Sequence, residues 1–499
     1  MSEIRQKLSP ESSPCPAAGV DEMTGIGHLD ERIVDETVLD ERVVDETGTP
    51  AEANSFAAPA TTSETRQPKA DTRWARLLGG VNKDARNAAM ALIDQGVVSF
   101  TTFLTAVILG RNFLDSEFGV YYLALTLVWA VRGIQEQIVA SPYMVICHRK
   151  EGDQEARYAG SAFIHSATVS VIAVLALLVY ALITLGSTPT AFTPVIWVLI
   201  AVAPAILLRE HIRFVGLSHL RLKGVLLFDL SVLPLQIGGL LLLSHLDLLS
   251  VASALLVIGA ACALPSIVWL ASRIRPMQFD FAAVRADWRE NWTLGRWALI
   301  SHFVGSSTPY ALPWILLATH GEAAAGILAA CTSIIGLPRM FINGLANFLF
   351  PRSAHAFCKG GKRALRELLS RAAVVYVVGL GSFCLLMLAI GGPIMLFVFD
   401  GQYGDTGTIL SVLAFAVLAK AIGNILGNGL WAIERPQATF AADVCATIVV
   451  LGLAFLLIGP LSVLGVAFSM LAGAFAGTVV RAVTFQRLFA SIHQDPQPA

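Results

Sequence analysis

Two arginines, Arg132 and Arg339, lie deep inside strongly apolar stretches of this 499-residue chain. A charge near the centre of a bilayer costs about 2.5–3.5 kcal/mol on insertion scales, so such residues face a polar cavity or a partner. There they can hold an anionic group that has left water, by charge-assisted hydrogen bonds. The two are related by an internal repeat. A shift of 207 residues places Ala91-Leu92-Ile93 on Ala298-Leu299-Ile300, Val97 on Val304, Ser99 on Ser306 and Thr101 on Thr308. It also places Ile108-Leu109 on Ile315-Leu316, Gly119 on Gly326 and Arg132 on Arg339, ten identities in 42 ungapped positions. Equivalent cations in two halves point to one cavity with a cationic wall on each side.

Other polar residues compete for roles in that cavity. Lys420 is a third basic residue near mid-span, although its long stem could instead carry the charge to an interface. Glu136 lies one helical turn beyond Arg132 and could neutralise it locally; Arg339 has no acidic neighbour on its own helix. Asp94-Gln95 and Ser301-His302 are repeat-equivalent. Asp94 fits either a proton or Na⁺ site of an antiporter or a hydrogen-bonded structural carboxylate, and His302 either a cavity or a packing residue. Arg209 and Arg213, at the inner end of the fourth apolar stretch, could recruit anionic head groups from the cytoplasm or simply anchor that end. Asp229 and Asp443 each follow an arginine by eight residues, which suits helix N-termini or local pairing.

The elements that position these residues are membrane spans. Hydrophobic residues make up 55% of the chain and charged residues 14%, with mean hydropathy +0.66, far from a soluble domain's mix. About 20 apolar residues cross a bilayer as helix. Twelve such stretches occur, near 89–110, 118–146, 158–184, 191–211, 224–244, 250–272, 294–317, 323–350, 372–399, 407–431, 438–459 and 461–484. Pro338 and Gly344 predict a bend in the eighth. The connections on one side, with the C-terminal tail, hold 18 Lys/Arg and the opposite set only Arg111. By the positive-inside rule both termini are cytoplasmic. A weaker comparison at offset 214 aligns Arg221 with Arg435, Asp229 with Asp443 and Gly238 with Gly452. Together the offsets describe an all-α membrane protein of two parallel six-helix lobes around a central cavity, suited to alternating access.

The expected organisation is an acidic disordered tail over 1–70, a basic juxtamembrane segment over 71–88, a first lobe over 89–273, a cytoplasmic linker over 274–293, a second lobe over 294–484 and a cytoplasmic tail over 485–499. The first segment carries 14 Asp/Glu against 6 Lys/Arg and repeats Leu29-Asp-Glu-Arg-Ile-Val-Asp-Glu-Thr37 at 39–47 with Val for Ile. That repeat fits either a docking motif for partner proteins or a drifting low-complexity tail. The seven cysteines are scattered and predict neither a disulfide framework nor a metal site. No Gly-x-x-x-x-Gly-Lys-[Ser/Thr] loop is present, so no nucleotide cofactor is expected; nor is a nucleic-acid partner.

Gly110-Arg-Asn-Phe-Leu-Asp-Ser-Glu-Phe-Gly-Val-Tyr-Tyr-Leu-Ala-Leu125 resembles the turn between the first two spans of the polysaccharide transporter (Wzx-like) family, departing at Phe113, where Leu is usual. Gly321-Glu-Ala-Ala-Ala-Gly-Ile-Leu-Ala-Ala330 and Phe350-Pro351-Arg352 fit the same pattern. That family belongs to the multidrug/oligosaccharidyl-lipid/polysaccharide exporter superfamily, in which spans 1, 2, 7 and 8 line the central cavity. The resemblance implies a non-enzymatic inner-membrane flippase for a lipid-linked oligosaccharide or polysaccharide precursor on a polyprenyl-pyrophosphate carrier. Membrane lipids would surround it, and other polysaccharide-assembly proteins could dock on the 1–70 tail. The alternative within the superfamily is a cation-coupled multidrug antiporter.

Overall fold

Every crossing is an α-helix, because hydrocarbon leaves the backbone no partner but itself. The structure, a computed structural model, describes residues 72–185, 191–273 and 277–491, and among them there is no strand. The first half consists of α1 (Thr72–Asn112), α2 (Asp115–Arg149), α3 (Asp153–Thr184), α4 (Thr193–Ser218), α5 (Leu222–His245) and α6 (Val251–Arg273). The second half consists of α7 (Phe281–Ser306), α8 (Thr308–Ile335), α9 (Arg339–Val398), α10 (Gly407–Ala432) and α11 (Pro436–Ser491). Three of these helices turn back on themselves at residues with positive φ: Gly321 in α8, Gly361 in α9 and Ser462 in α11. Divided at those turns, the described helices make twelve crossings, six per lobe, and residues 79–499 form one compact unit.

Several boundaries differ from those the sequence predicts. Residues 281–293, expected within the linker, are the first turns of α7, with the Asp280 carboxylate accepting from the Ala282 and Ala283 amides as N-cap. The seventh crossing, expected over 294–317, therefore begins earlier; it breaks between Ser306 and Thr308 and ends at Gly321. The basic segment from Thr72 is helix continuous with the first crossing, and α11 runs on to Ser491 within the expected tail. The repeated acidic segment over 1–70 lies outside the described residues.

The two helices that carry the arginine pair are irregular at mid-depth. In α2, residues Glu136–Ala140 form a π turn, closed by the Ser141 amide onto the Glu136 carbonyl. Pro142 follows directly and has no amide to continue an α-helical ladder, which locates the widened turn. In the eighth crossing the helix is interrupted between Ile335 and Arg339, with Pro338 as N-cap, where a bend was expected.

Toward the end away from the basic loops, the lobes meet through the repeat-equivalent glycines. A Cβ on Gly119 of α2 would overlap the Glu322 carbonyl, and one on Gly326 of α8 would overlap the Asp115 carbonyl. Only residues without a side chain allow that approach. Phe113, Phe118 and Phe399 are buried around it, and Arg111 donates to the carbonyls of Val398 (2.7 Å) and Phe397 (2.9 Å) at the C-terminus of α9. At the basic end, the first turns of α7 lie against the first lobe instead. Lys150 bonds Asp287 at 2.9 Å, Tyr158 donates to Asn291 at 2.6 Å, and Gly295 packs on the backbone of Gln137 and Ile138. The far end of α7 belongs to the second lobe, where Thr447 donates to the Val304 carbonyl.

Candidate functional site

Arg132 stands midway along α2, one turn before the π turn, and Glu136 is not its partner. Its Nη2 reaches across to Glu210 Oε2 on α4 at 3.1 Å, while 38% of its side chain stays exposed. Glu136 opens the π turn, half-buried. Among the described residues no ion pair involves Glu136, although its amide bonds the Arg132 carbonyl with ordinary α-helical spacing; the Arg132 guanidinium turns to Glu210 instead.

Glu210 is one link of a chain of ion pairs. Arg209 Nη1 lies 3.5 Å from Glu210 Oε1, and Arg209 Nη2 lies 2.6 Å from Asp229 Oδ1 on α5. Arg213 Nη2 bonds Asp94 Oδ2 on α1 at 2.8 Å. Arg213 Nε approaches Asp229 Oδ2 to 2.7 Å, an ion pair whose angle falls short of a hydrogen bond. Three arginines and three carboxylates from α1, α2, α4 and α5 thus neutralise one another. The local reason is simple: Arg209 and Arg213 are four residues apart, so both leave α4 on one face and grip Asp229 between them.

This placement corrects the reading of Arg209 and Arg213 as a surface cluster. Their side chains are 14% and 9% exposed, and the carboxylates of Glu210 and Asp229 are 5% and 1% exposed. The helix α4 continues to Ser218, which puts both arginines inside the bundle. Asp94 is likewise occupied by a guanidinium rather than standing open as a cation site. Asp229 does not serve its own helix terminus; it is the hub of the chain.

Beside Arg132, Gly133 leaves room for His302 of α7, since a Cβ there would collide with the imidazole Nε2. His302 is half-buried and sits against Arg132's helix, across the seam between lobes. Gln135, which sequence reasoning missed, is buried and donates to Ser166 of α3 and to the Leu207 carbonyl of α4. It fixes α2 against both helices just below Arg132. An amide one turn from an intramembrane arginine was the available signal. Lys420 is exposed at the middle of α10. Arg339 begins α9 directly after the break, and its side chain lies outside the described part. Among the described residues the structure thus brings Arg132, His302, Asp94, Arg209 and Arg213 into one neighbourhood of spans.

The second lobe has its own pair, the buried Arg481 with the half-buried Asp443, both on α11 across the Ser462 turn. Two clefts, of 240 Å³ and 520 Å³, open at the opposite end of the molecule, lined in part by Glu117 and Glu322 and by Asp115 and Tyr403. Neither is lined by a member of the ion-pair chain.

No family model matches the sequence. Among curated proteins, the capsular polysaccharide biosynthesis protein CapF of Staphylococcus aureus is 23% identical over 170 residues, which cover 34% of this chain and 43% of that protein. Among solved structures, an inward-facing multidrug resistance MATE family transporter of the MOP superfamily aligns with TM-score 0.66 at 13% identity, covering 78% of this chain and 94% of that one. The lipid II flippase MurJ in an inward closed conformation aligns with TM-score 0.66 at 14% identity, covering 79% and 87%. The chain therefore has the fold of these membrane transporters, and it is a multi-pass membrane protein.

Proposed function

We propose that this protein moves the anionic head of a lipid-linked oligosaccharide or polysaccharide precursor across the cell inner membrane by alternating access of its two lobes. The observation that carries this reading is Arg132, a guanidinium at mid-membrane depth, on the seam between lobes, with 38% of its side chain open. A pyrophosphate-linked sugar must trade water for fixed donors to cross, and an open arginine at that depth supplies them. The glycine seam of α2 on α8 is a close backbone contact away from the basic loops, consistent with a state closed on that side. The turn at 110–125, the similarity to a capsular polysaccharide biosynthesis protein and the fold shared with a lipid II flippase support the substrate class. In this reading both termini are cytoplasmic, the role is not enzymatic, and Arg339, Lys420 and His302 share the cavity wall.

A cation-coupled drug antiporter is the second reading, favoured by the MATE-like fold. It needs an acidic site open to cations, and Asp94 is held by Arg213 at 2.8 Å. Vesicles containing purified protein and a fluorescent polyprenyl-pyrophosphate oligosaccharide test the choice. Translocation that falls at least about tenfold in Arg132→Ala plus Arg339→Ala, at unchanged protein level, supports the flippase. Undiminished translocation, or resistance to cationic drugs that depends on Asp94, overturns it.

A further inference from the structure

Arg132 is the open member of the ion-pair chain, yet it is already occupied. Glu210 holds its Nη2 at 3.1 Å, so an incoming phosphoryl group competes with a carboxylate for Arg132. The fate of the released Glu210 is set by its surroundings. Its other partner, Arg209, is farther at 3.5 Å and is itself committed to Asp229 at 2.6 Å. Arg213 of its own helix is shared between Asp94 of α1 and Asp229 of α5. The Cys262 thiol of α6, beside Arg209, Glu210 and Asp229, carries no compensating positive charge. His211, its neighbour in sequence, is buried with its ring edge-on to Phe163. Each of these arginines is thus matched by a carboxylate before substrate arrives. Adding a multiply charged anion to a balanced, buried set leaves excess negative charge where desolvation makes it costly.

We propose that Glu210 is the exchangeable counter-anion of the substrate site. The phosphoryl head takes over Arg132, and the displaced Glu210 carboxylate is neutralised by a proton taken up from the buffered aqueous phase through the opening that admits the head group. The inference rests on the anion-binding reading above and deepens it. It also accounts for selectivity: a monoanion is no better a partner for Arg132 than the carboxylate it displaces, whereas a pyrophosphate brings more charge and more acceptor oxygens.

The test is calorimetric titration of the full-length protein in nanodiscs with inorganic pyrophosphate, near pH 7, in two buffers of different ionisation enthalpy. Wild type is expected to take up protons on binding. Glu210→Gln is expected to bind pyrophosphate about tenfold tighter, because the competitor is gone, and without proton uptake. Absence of uptake in wild type, or a Glu210→Gln protein that matches wild type in both affinity and uptake, overturns the inference. Arg132→Gln separates the two failures. If it abolishes binding while Glu210→Gln changes nothing, only the counter-anion role falls; if it binds like wild type, the anion-binding reading falls with it. Should Glu210→Gln not fold, the proton count of the wild type decides alone.

Discussion

The two lobes share a backbone plan and differ in how each handles buried charge. In the first, six charged groups on four helices form one connected chain. In the second, among the described residues, Arg481 and Asp443 pair across the two arms of α11. Asp229 and Asp443 are repeat-equivalent, yet the first draws its arginines from the preceding helix and the second from the following arm. The second site is shaped by absence of side chains: Cβ atoms on Gly423 and Gly477 would come within 3.2 Å and 3.4 Å of the Arg481 guanidinium. A duplication therefore transmits where a carboxylate stands without transmitting what answers it. The connected chain of the first lobe depends on the Arg209 and Arg213 pair of α4, and at the same offset the second lobe has Gly423 and Gly427.

The sharpest way to break this contrast is to remove the arginine that links Asp94 to Asp229. Arg213→Ala strands Asp94 and half-strands Asp229 inside the bundle, at an expected cost of about 3–5 kcal/mol; thermal unfolding in detergent should show most of the protein lost. Asp443→Asn should cost less, about 1–2 kcal/mol, because Asp443 is 27% exposed and water can reach the arginine left behind. Equal losses for the two variants would mean that the lobes are not different in kind. Gly119→Ala and Gly326→Ala test the symmetric part, and each should cost about 1–3 kcal/mol by overpacking the same seam. If one is tolerated and the other is not, the seam is not shared by the two repeats. Lys150→Ala, at the basic end, should cost about 1–3 kcal/mol, since it leaves the buried Asp287 carboxylate without that bond. Arg371→Ala removes an exposed pair with Glu367 and should leave the melting curve unchanged within error.

The crossings were legible because each is an independent apolar run long enough to span the bilayer, and Pro338 announced its break by lacking an amide. The start of α7 was hidden for the opposite reason. Arg285, Asp287, Arg289 and Glu290 make it read as a loop, although Asp287 and Asn291 are buried against the first lobe. The partner of Arg132 was unreadable because it lies on α4, 78 residues away, while Glu136 offered the ordinary helical spacing. The guanidinium turns away from that offer to Glu210, a contact between helices that local spacing does not announce. Arg209 and Arg213 were drawn toward the surface by the nearby basic loop, whose charges answer to orientation and not to the ion-pair chain. An Arg-x-x-x-Arg face followed within one span by a lone intramembrane aspartate was the signal that could have revealed it.

The charge chain also bears on how the protein is made. Asp94 enters with α1, a surplus positive charge enters with α4, and Asp229 enters with α5, so none of these three crossings is neutral in its interior when it first meets lipid. An unanswered mid-helix charge costs about 2.5–3.5 kcal/mol on insertion scales. The first lobe must then settle as a group, with α1 and α4 held near the insertion machinery until α5 has been synthesised. Chains truncated after α4 should stay extractable from the membrane by alkali, whereas chains truncated after α5 should resist. The second lobe's pair sits on consecutive crossings and closes within a single hairpin, so the order of synthesis is a constraint on one half of the molecule and almost none on the other.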